Sequence, residues 1–246
     1  MKKALGVIPA RYASSRFPGK ALAELAGKPL LQWVYEAAAR SASLDRLIIA
    51  TDDQRIYQRS LDFGAETVLT SPHHPSGTDR VAEVARKFNH QLIINIQGDE
   101  PLLHSSMIDA LVTALQEENV PMVTLARAAT EAEDFFDPNT VKVVVNHQGY
   151  ALYFSRSPIP YASRGSFDFF WQHIGLYGYQ REFLLQFVQL PRSPLEEKER
   201  LEQLRALENG FAIKIIPTSV KTLSVDTPED IIRVEKILKN RKSQNA

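Results

Sequence analysis

Four polar stretches carry the residue types that phosphate and metal chemistry needs. Ile96-Gln97-Gly98-Asp99-Glu100-Pro101 follows Leu92-Ile93-Ile94-Asn95 and sets two carboxylates in a short turn. In open α/β sheets, ligands bind in the crevice beyond the carboxyl ends of the strands, so Asp99 stands where a substrate or its metal would sit. Pro9-Ala10-Arg11-Tyr12-Ala13-Ser14-Ser15-Arg16-Phe17-Pro18-Gly19-Lys20 follows the first apolar run with three cations and two serine hydroxyls, a set suited to a polyphosphate. It is not a Walker loop, because Gly19-Lys20 is followed by Ala21 and Ser14 stands where the first glycine should be, and it lacks the glycine spacing of a dinucleotide fingerprint. A solvated basic loop is the bland alternative; its position after a strand favours the phosphate reading. Near the chain's end, Leu223-Ser224-Val225-Asp226-Thr227-Pro228 puts another carboxylate just before a helix start. Magnesium takes few hard oxygen ligands when substrate phosphates complete its shell, so Asp99 and Asp226 are expected to hold one octahedral Mg²⁺ with several waters. Ser71-Pro72-His73-His74-Pro75-Ser76-Gly77-Thr78-Asp79-Arg80 is a further phosphate or sugar contact leading into a helix. Adjacent His73 and His74, with no third ligand nearby, read as surface residues rather than a zinc site.

These loops need a sheet to present them. Short apolar runs at Ala4 to Ile8, Arg46 to Thr51, Glu66 to Thr70 and Leu92 to Gln97 alternate with amphipathic stretches, the pattern of βαβ units around a mostly parallel sheet. Pro29 suits a first helical position, and Leu30, Leu31, Val34, Ala37 and Ala38 follow at helical spacing. Asp53 to Phe63, ending at Gly64, and Ser105 to Glu118 read as further helices. The second half changes character. Thr140 to Asn146 and Tyr150 to Ser155 predict a hairpin around His147-Gln148-Gly149, and Pro158 to Phe170 a loop or oligomer contact. Pro194 to Asn209 reads as one charged helix and Phe211 to Pro217 as a strand. Thr227-Pro228-Glu229-Asp230 reads as a capped helix start, with fraying expected after Lys239. The expected organisation is one domain over 1–246, with a β-rich segment at about 140–180 inserted in it.

Composition narrows the class. The chain has 246 residues, 44% hydrophobic and 24% charged, enough for a sizeable core. Lys plus Arg and Asp plus Glu are 29 each, so no overall field favours nucleic acid or an anionic membrane. With no cysteine there are no disulfides, thiolate metal sites or cysteine nucleophiles. Pro9 and Arg11 cut the N-terminal apolar stretch short of a secretory signal, and no run approaches a membrane span, so the expectation is a cytoplasmic protein without nucleic-acid or membrane partners.

Seven stretches in collinear order resemble the 3-deoxy-manno-octulosonate cytidylyltransferase family (CMP-Kdo synthetases). They are the Pro9 to Lys20 loop, Ser76-Gly77-Thr78-Asp79-Arg80, Gln97-Gly98-Asp99-Glu100-Pro101, Tyr153-Phe154-Ser155-Arg156, His173 to Tyr179, Leu201-Glu202-Gln203-Leu204-Arg205 and Val225 to Asp230. The resemblance implies a Rossmann-like nucleotide-diphospho-sugar transferase fold whose inserted β-rich lobe serves dimerisation and sugar binding, and a homodimer. It also implies transfer of CMP from CTP to the C2 hydroxyl of 3-deoxy-manno-octulosonate (Kdo), releasing pyrophosphate, for lipopolysaccharide assembly. On this resemblance Arg11, Ser14, Arg16 and Lys20 contact the nucleotide and its phosphates, Gln97 lies beside cytosine or sugar, and Asp99 and Asp226 hold Mg²⁺. Arg80, Arg156, His173, Tyr177, Glu202 and Gln203 line the sugar pocket, the arginines being suited to its carboxylate. Lys20, Arg11, Asp99 and Asp226 are the expected catalytic set. Asp79 stands where the family commonly has Glu, and Tyr161 to Trp171 is shorter than in many relatives.

Overall fold

The computed structural model describes residues 4–13, 16–118, 120–161 and 169–244. Strand β1 (Ala4–Ala10) leads through a 3-10 turn (Lys20–Leu22) and a small hairpin, β2 (Glu24–Leu25) with β3 (Lys28–Pro29), into α1 (Leu30–Ala38). The alternation continues with β4 (Leu44–Thr51), α2 (Gln54–Asp62), β5 (Thr67–Leu69), α3 (Gly77–Lys87), β6 (Leu92–Asn95), α4 (Ser105–Glu117) and β7 (Met122–Ala129). After α5 (Ala132–Phe136) come β8 (Lys142–Val145), β9 (Ala151–Ser155), β10 (Phe170–Gln180), α6 (Arg181–Phe187), α7 (Pro194–Glu199), α8 (Leu204–Glu208), β11 (Ile213–Pro217) and α9 (Pro228–Gln244).

The main sheet runs β11-β7-β10-β6-β1-β4-β5. Neighbours β1/β4, β1/β6, β4/β5 and β7/β11 are parallel, while β10 is antiparallel to both β6 and β7. Side chains alternate across the strands, so Ala4 and Ile8 of β1 join α1 and α4 on one face, whereas Leu5 and Val7 join α3 and α6 on the other. A smaller cluster brings α9 to the site: Val225 and Val234 pack with Leu25, Leu30 and Leu102, all nearly or fully buried. Each such aliphatic contributes about 1.5–3 kcal/mol by burial, enough to hold the C-terminal helix against the loop after β6.

The structure sharpens the sequence expectations in three places. The β8–β9 hairpin forms as expected, and β10, which falls within the same 140–180 segment, is a central strand of the main sheet. The charged helix expected over Pro194 to Asn209 is two helices, because Arg200 adopts a left-handed φ of 53° and the Leu201 amide closes back on the Glu196 carbonyl at 3.2 Å. The last helix extends past Lys239 to Gln244.

Candidate active site

Two adjoining cavities open at the carboxyl end of β1 and β6 and share Gln97 and Asp99 in their walls. The first is lined by Pro9, Ala10, Arg11 and Lys20 from the loop after β1, by Ser76 and Gly77 at the start of α3, and by Arg80. The Ser76 side chain caps α3 by accepting the Asp79 amide. The second, about 630 Å³, is walled by the 137–141 loop, β10, the α7–α8 junction and residues 222–233. That volume suits a small ligand. Gly98 lets the turn after β6 approach β1: a Cβ there would lie 3.3 Å from the Pro9 carbonyl oxygen.

At the seam of the cavities, Lys20 Nζ donates to Asp99 Oδ2 at 2.7 Å and to Asp226 Oδ1 at 3.3 Å, while Arg16 Nη2 lies 3.0 Å from Asp226 Oδ2. Two local features aim this lysine. Gly19, at φ 74°, makes the turn that a side chain would strain, and its amide donates to the Tyr12 carbonyl at 2.9 Å. The Val225 amide donates to the Asp99 carbonyl at 2.9 Å, bringing residues 127 positions apart in the chain side by side at Asp99 and Asp226. Asp230, not Asp226, caps α9: its Oδ2 accepts the Asp226 and Thr227 amides at 3.0 and 2.9 Å. Asp226 therefore keeps its carboxylate for the cavity.

Glu100 faces the same seam. Its Oε1 accepts the Ser224 hydroxyl at 2.7 Å, and its buried Oε2 has no partner among the described residues. Burial, reinforced by the Asp99 charge, pushes its pKa up to about 7. On the opposite wall β10 carries a bulge between Ile174 and Tyr177 that Thr124 fastens, donating to the Leu176 carbonyl at 2.8 Å. Thr124 Oγ1 also lies 3.0 Å from His173 Nε2; with its proton given to Leu176 it accepts there, so Nε2 carries the imidazole hydrogen. Desolvation holds the His173 pKa down to about 3, so the ring is neutral near pH 7 and contributes hydrogen bonding rather than charge. Desolvation first, then Glu202, raises the Tyr177 pKa, keeping its hydroxyl protonated.

The expected site residues divide. Arg11, Lys20, Gln97 and Asp99 line the first cavity, and Arg16, Gln97, Asp99, His173, Tyr177, Glu202, Gln203 and Asp226 the second. Ser14 lies outside the described residues. Arg80 and Arg156, expected against the sugar, are each paired within the protein. Buried Arg80 pairs with Asp52 at 3.0 Å and donates to Thr70, bordering only the first cavity. Arg156 donates to the carbonyls of Glu199 and Pro138, each at 2.9 Å, and lines neither cavity. Both guanidiniums are committed to the protein's own acceptors. The cations in the larger cavity are instead Arg16, Arg200 and Arg233. Sequence reasoning passed over Arg200, which reads as one more charge on a helix until its left-handed backbone is seen. It also passed over Lys142, a fully buried ammonium donating to the carbonyls of Asp137, Thr140 and Arg156 and so fastening the loop that walls this cavity. Gln203 is 3% exposed, and its Nε2 has no partner among the described residues, leaving a donor for a ligand.

Comparison with known proteins agrees with this geometry. A family model described as Cytidylyltransferase matches residues 5–231. A 3-deoxy-manno-octulosonate cytidylyltransferase from Solibacter usitatus is 52% identical over 240 residues, covering 97% of this chain and 95% of that relative. One from Syntrophotalea carbinolica is 51% identical, covering 93% and 96%. A solved structure of CMP:2-keto-3-deoxy-manno-octonic acid synthetase complexed with CTP matches with a TM-score of 0.92 at 41% identity, covering 97% of this chain and 99% of that one.

Proposed function

We propose that this chain, which belongs to the 3-deoxy-manno-octulosonate cytidylyltransferase family, transfers CMP from CTP to the C2 hydroxyl of Kdo and releases pyrophosphate. Family membership rests on the match over residues 5–231 and on relatives about half identical over nearly the whole chain, and it makes the protein an enzyme, a cytidylyltransferase. The observation that carries the proposed reaction is the seam: Lys20, Asp99 and Asp226 meet where the cavity behind the β1 loop opens into the larger one. In-line attack on the α-phosphorus needs two substrates aligned across such a boundary and the charge on the phosphate oxygens balanced. Arg11 and Lys20 balance that charge from the nucleotide side. Neutral His173, protonated Tyr177, Glu202 and the free Gln203 amide offer hydrogen bonds to a polyhydroxylated sugar, and Arg16, Arg200 and Arg233 offer charge to its carboxylate. No covalent enzyme intermediate is needed.

The donor set at the seam fits Mg²⁺. Asp99 and Asp226 already converge on one cation, the Lys20 ammonium, so by the sum of the two bonds their oxygens are at most about 6 Å apart, against the span of about 4 Å that a shared ion requires. Among the described residues no three Asp, Glu, His or Cys side chains are placed to hold a metal ion together, so phosphates and water would supply the other ligands. When bound, the ion neutralises phosphate charge. Lys20 holds the two carboxylates together without it.

The same reading makes the chain one nucleotidyltransferase domain in which residues of about 140–180 serve both the sugar pocket and a homodimer contact. Exposed Phe136, Leu152 and Phe169 around β8–β10 support such a contact, since aromatics are enriched at interfaces. It also makes the enzyme a cytoplasmic supplier of CMP-Kdo to lipopolysaccharide assembly. None of its described helices is long and apolar enough to cross a membrane. The test is direct: CTP, Mg²⁺ and Kdo mixed with the protein should release pyrophosphate and form CMP-Kdo. Binding of CTP without release would make the chain a nucleotide-binding regulator.

A further inference from the structure

A row of four side chains runs beneath both cavities, its two middle members, Asn95 and Thr78, lining neither. Gln97 Nε2 donates to Asn95 Oδ1 at 3.3 Å, Asn95 Nδ2 donates to Thr78 Oγ1 at 3.3 Å, and Thr78 Oγ1 donates to Glu202 Oε2 at 2.5 Å. Asn95 and Thr78 are 1% and 4% exposed, whereas the ends of the row, Gln97 and Glu202, reach ligand space.

The direction of this row is forced. A carboxylate only accepts, so Thr78 must spend its single proton on Glu202. Its oxygen can then only accept from Asn95, which turns the Asn95 amide nitrogen toward Thr78 and its carbonyl oxygen toward Gln97. Gln97 must answer with its amide nitrogen. Its own carbonyl oxygen is what remains for the space where the two cavities meet. An amide is a donor and an acceptor of nearly equal shape, and a freely rotating glutamine would present either.

We propose that Thr78 and Asn95 are positioning residues that lock the Gln97 amide with its oxygen toward the ligands, so that Gln97 selects for a hydrogen-bond donor there. The inference rests on reading the two cavities as nucleotide and sugar sites. The donor is an N–H or O–H group, from the exocyclic amine of the base or a hydroxyl of the sugar. Uracil carries a carbonyl where cytosine carries that amine, so a locked acceptor would penalise it.

The test titrates CTP, UTP and Kdo into the full chain by calorimetry, using wild type, Thr78→Val and Thr78→Ser, alongside turnover of CTP with Kdo. Thr78→Val removes the link that sets direction; Thr78→Ser keeps the hydroxyl. If the base supplies the donor, Thr78→Val should cut the CTP-over-UTP preference about fivefold to tenfold and leave Kdo affinity unchanged. If the sugar supplies it, Kdo affinity should fall by a similar factor with the base preference unchanged. In either case Thr78→Ser should restore the wild-type value. The proposal is overturned if Thr78→Val moves neither quantity, or if Thr78→Ser loses as much as Thr78→Val, which would make the site one of packing only. Should Thr78→Val fail to fold, Asn95→Leu breaks the same row and is judged by the same criteria. A wild-type protein that binds CTP and Kdo without forming CMP-Kdo would defeat the proposed reaction while these titrations still decide the amide's direction.

Discussion

Replacing Glu100 by glutamine should remove a fall in stability that the wild-type protein suffers as pH rises from about 4.5 to about 7. Its Oε1 accepts from Ser224, its Oε2 is buried with no hydrogen-bond partner among the described residues, and Asp99 lies beside it, so desolvation and that charge raise its pKa from the ordinary 4.5 to about 7. Below pH 4.5 the group is protonated whether the chain is folded or not, and the favourable burial of the neutral acid is fully present. As pH rises toward 7, the unfolded chain gives up this proton and the folded one keeps it, so unfolding is favoured progressively. At about 1.4 kcal/mol per pH unit, the loss reaches about 3 kcal/mol. Glutamine has the same shape and no proton to lose. Urea unfolding of wild type and Glu100→Gln at fixed ionic strength, with EDTA present, should show the variant gaining about 3 kcal/mol on wild type between pH 4.5 and 7.5. Other titrating groups cancel in the difference. Two parallel profiles, or a variant that loses ground, would refute the reasoning.

His173 gives the opposite sign. Its pKa is depressed to about 3, so the unfolded chain binds a proton that the folded one refuses, and its contribution to stability should rise between about pH 3 and 6.5 and be missing in His173→Gln, as the same unfolding series would show. Lys142→Met takes the ammonium away from three part-buried carbonyls and should cost about 3 kcal/mol, read as a drop in Tm, while raising the KM for Kdo through the loosened 137–141 loop. Asp226→Asn should lower kcat about a hundredfold with CTP binding retained, and near-normal turnover at saturating Mg²⁺ would remove Asp226 from the metal site. Arg200→Ala should raise the KM for Kdo more than that for CTP, whereas Arg156→Ala, which touches Glu199 and Pro138, should lower Tm first.

The first half of the fold is legible because its elements are written locally. Leu92 to Ile94 is a bare apolar run, and the Asp53 carboxylate receives the Arg55 and Ile56 amides as an N-terminal cap should. β10 is not legible in this way. Its Gly175 and Gly178, and the bulge between Ile174 and Tyr177, break the alternation that marks a strand, and its position between β6 and β7 is set by pairing rather than by composition. The turn at Arg200 carries no glycine or proline to announce it; the carbonyl of Glu196 and the ion pair between Glu196 and Arg205 at 2.5 Å hold it from outside. Asp99 could be picked out by its place after a strand. Arg80 and Arg156 could be named as basic residues in family motifs, but the direction of a guanidinium depends on which acceptors the fold brings near, and sequence does not state that.

The backbone bond from Val225 to Asp99 also has a temporal side. Chains are synthesised from the N-terminus, so β1 to β10, the β1 loop and Asp99 leave the ribosome well before Asp226 does. On the function proposed above, a nascent or truncated chain that stops short of residue 226 has most of its strands and still offers a nucleotide only half of an acidic clamp. Catalytic competence would then switch on late, when α9 docks, and prematurely terminated products would be inert rather than weakly active.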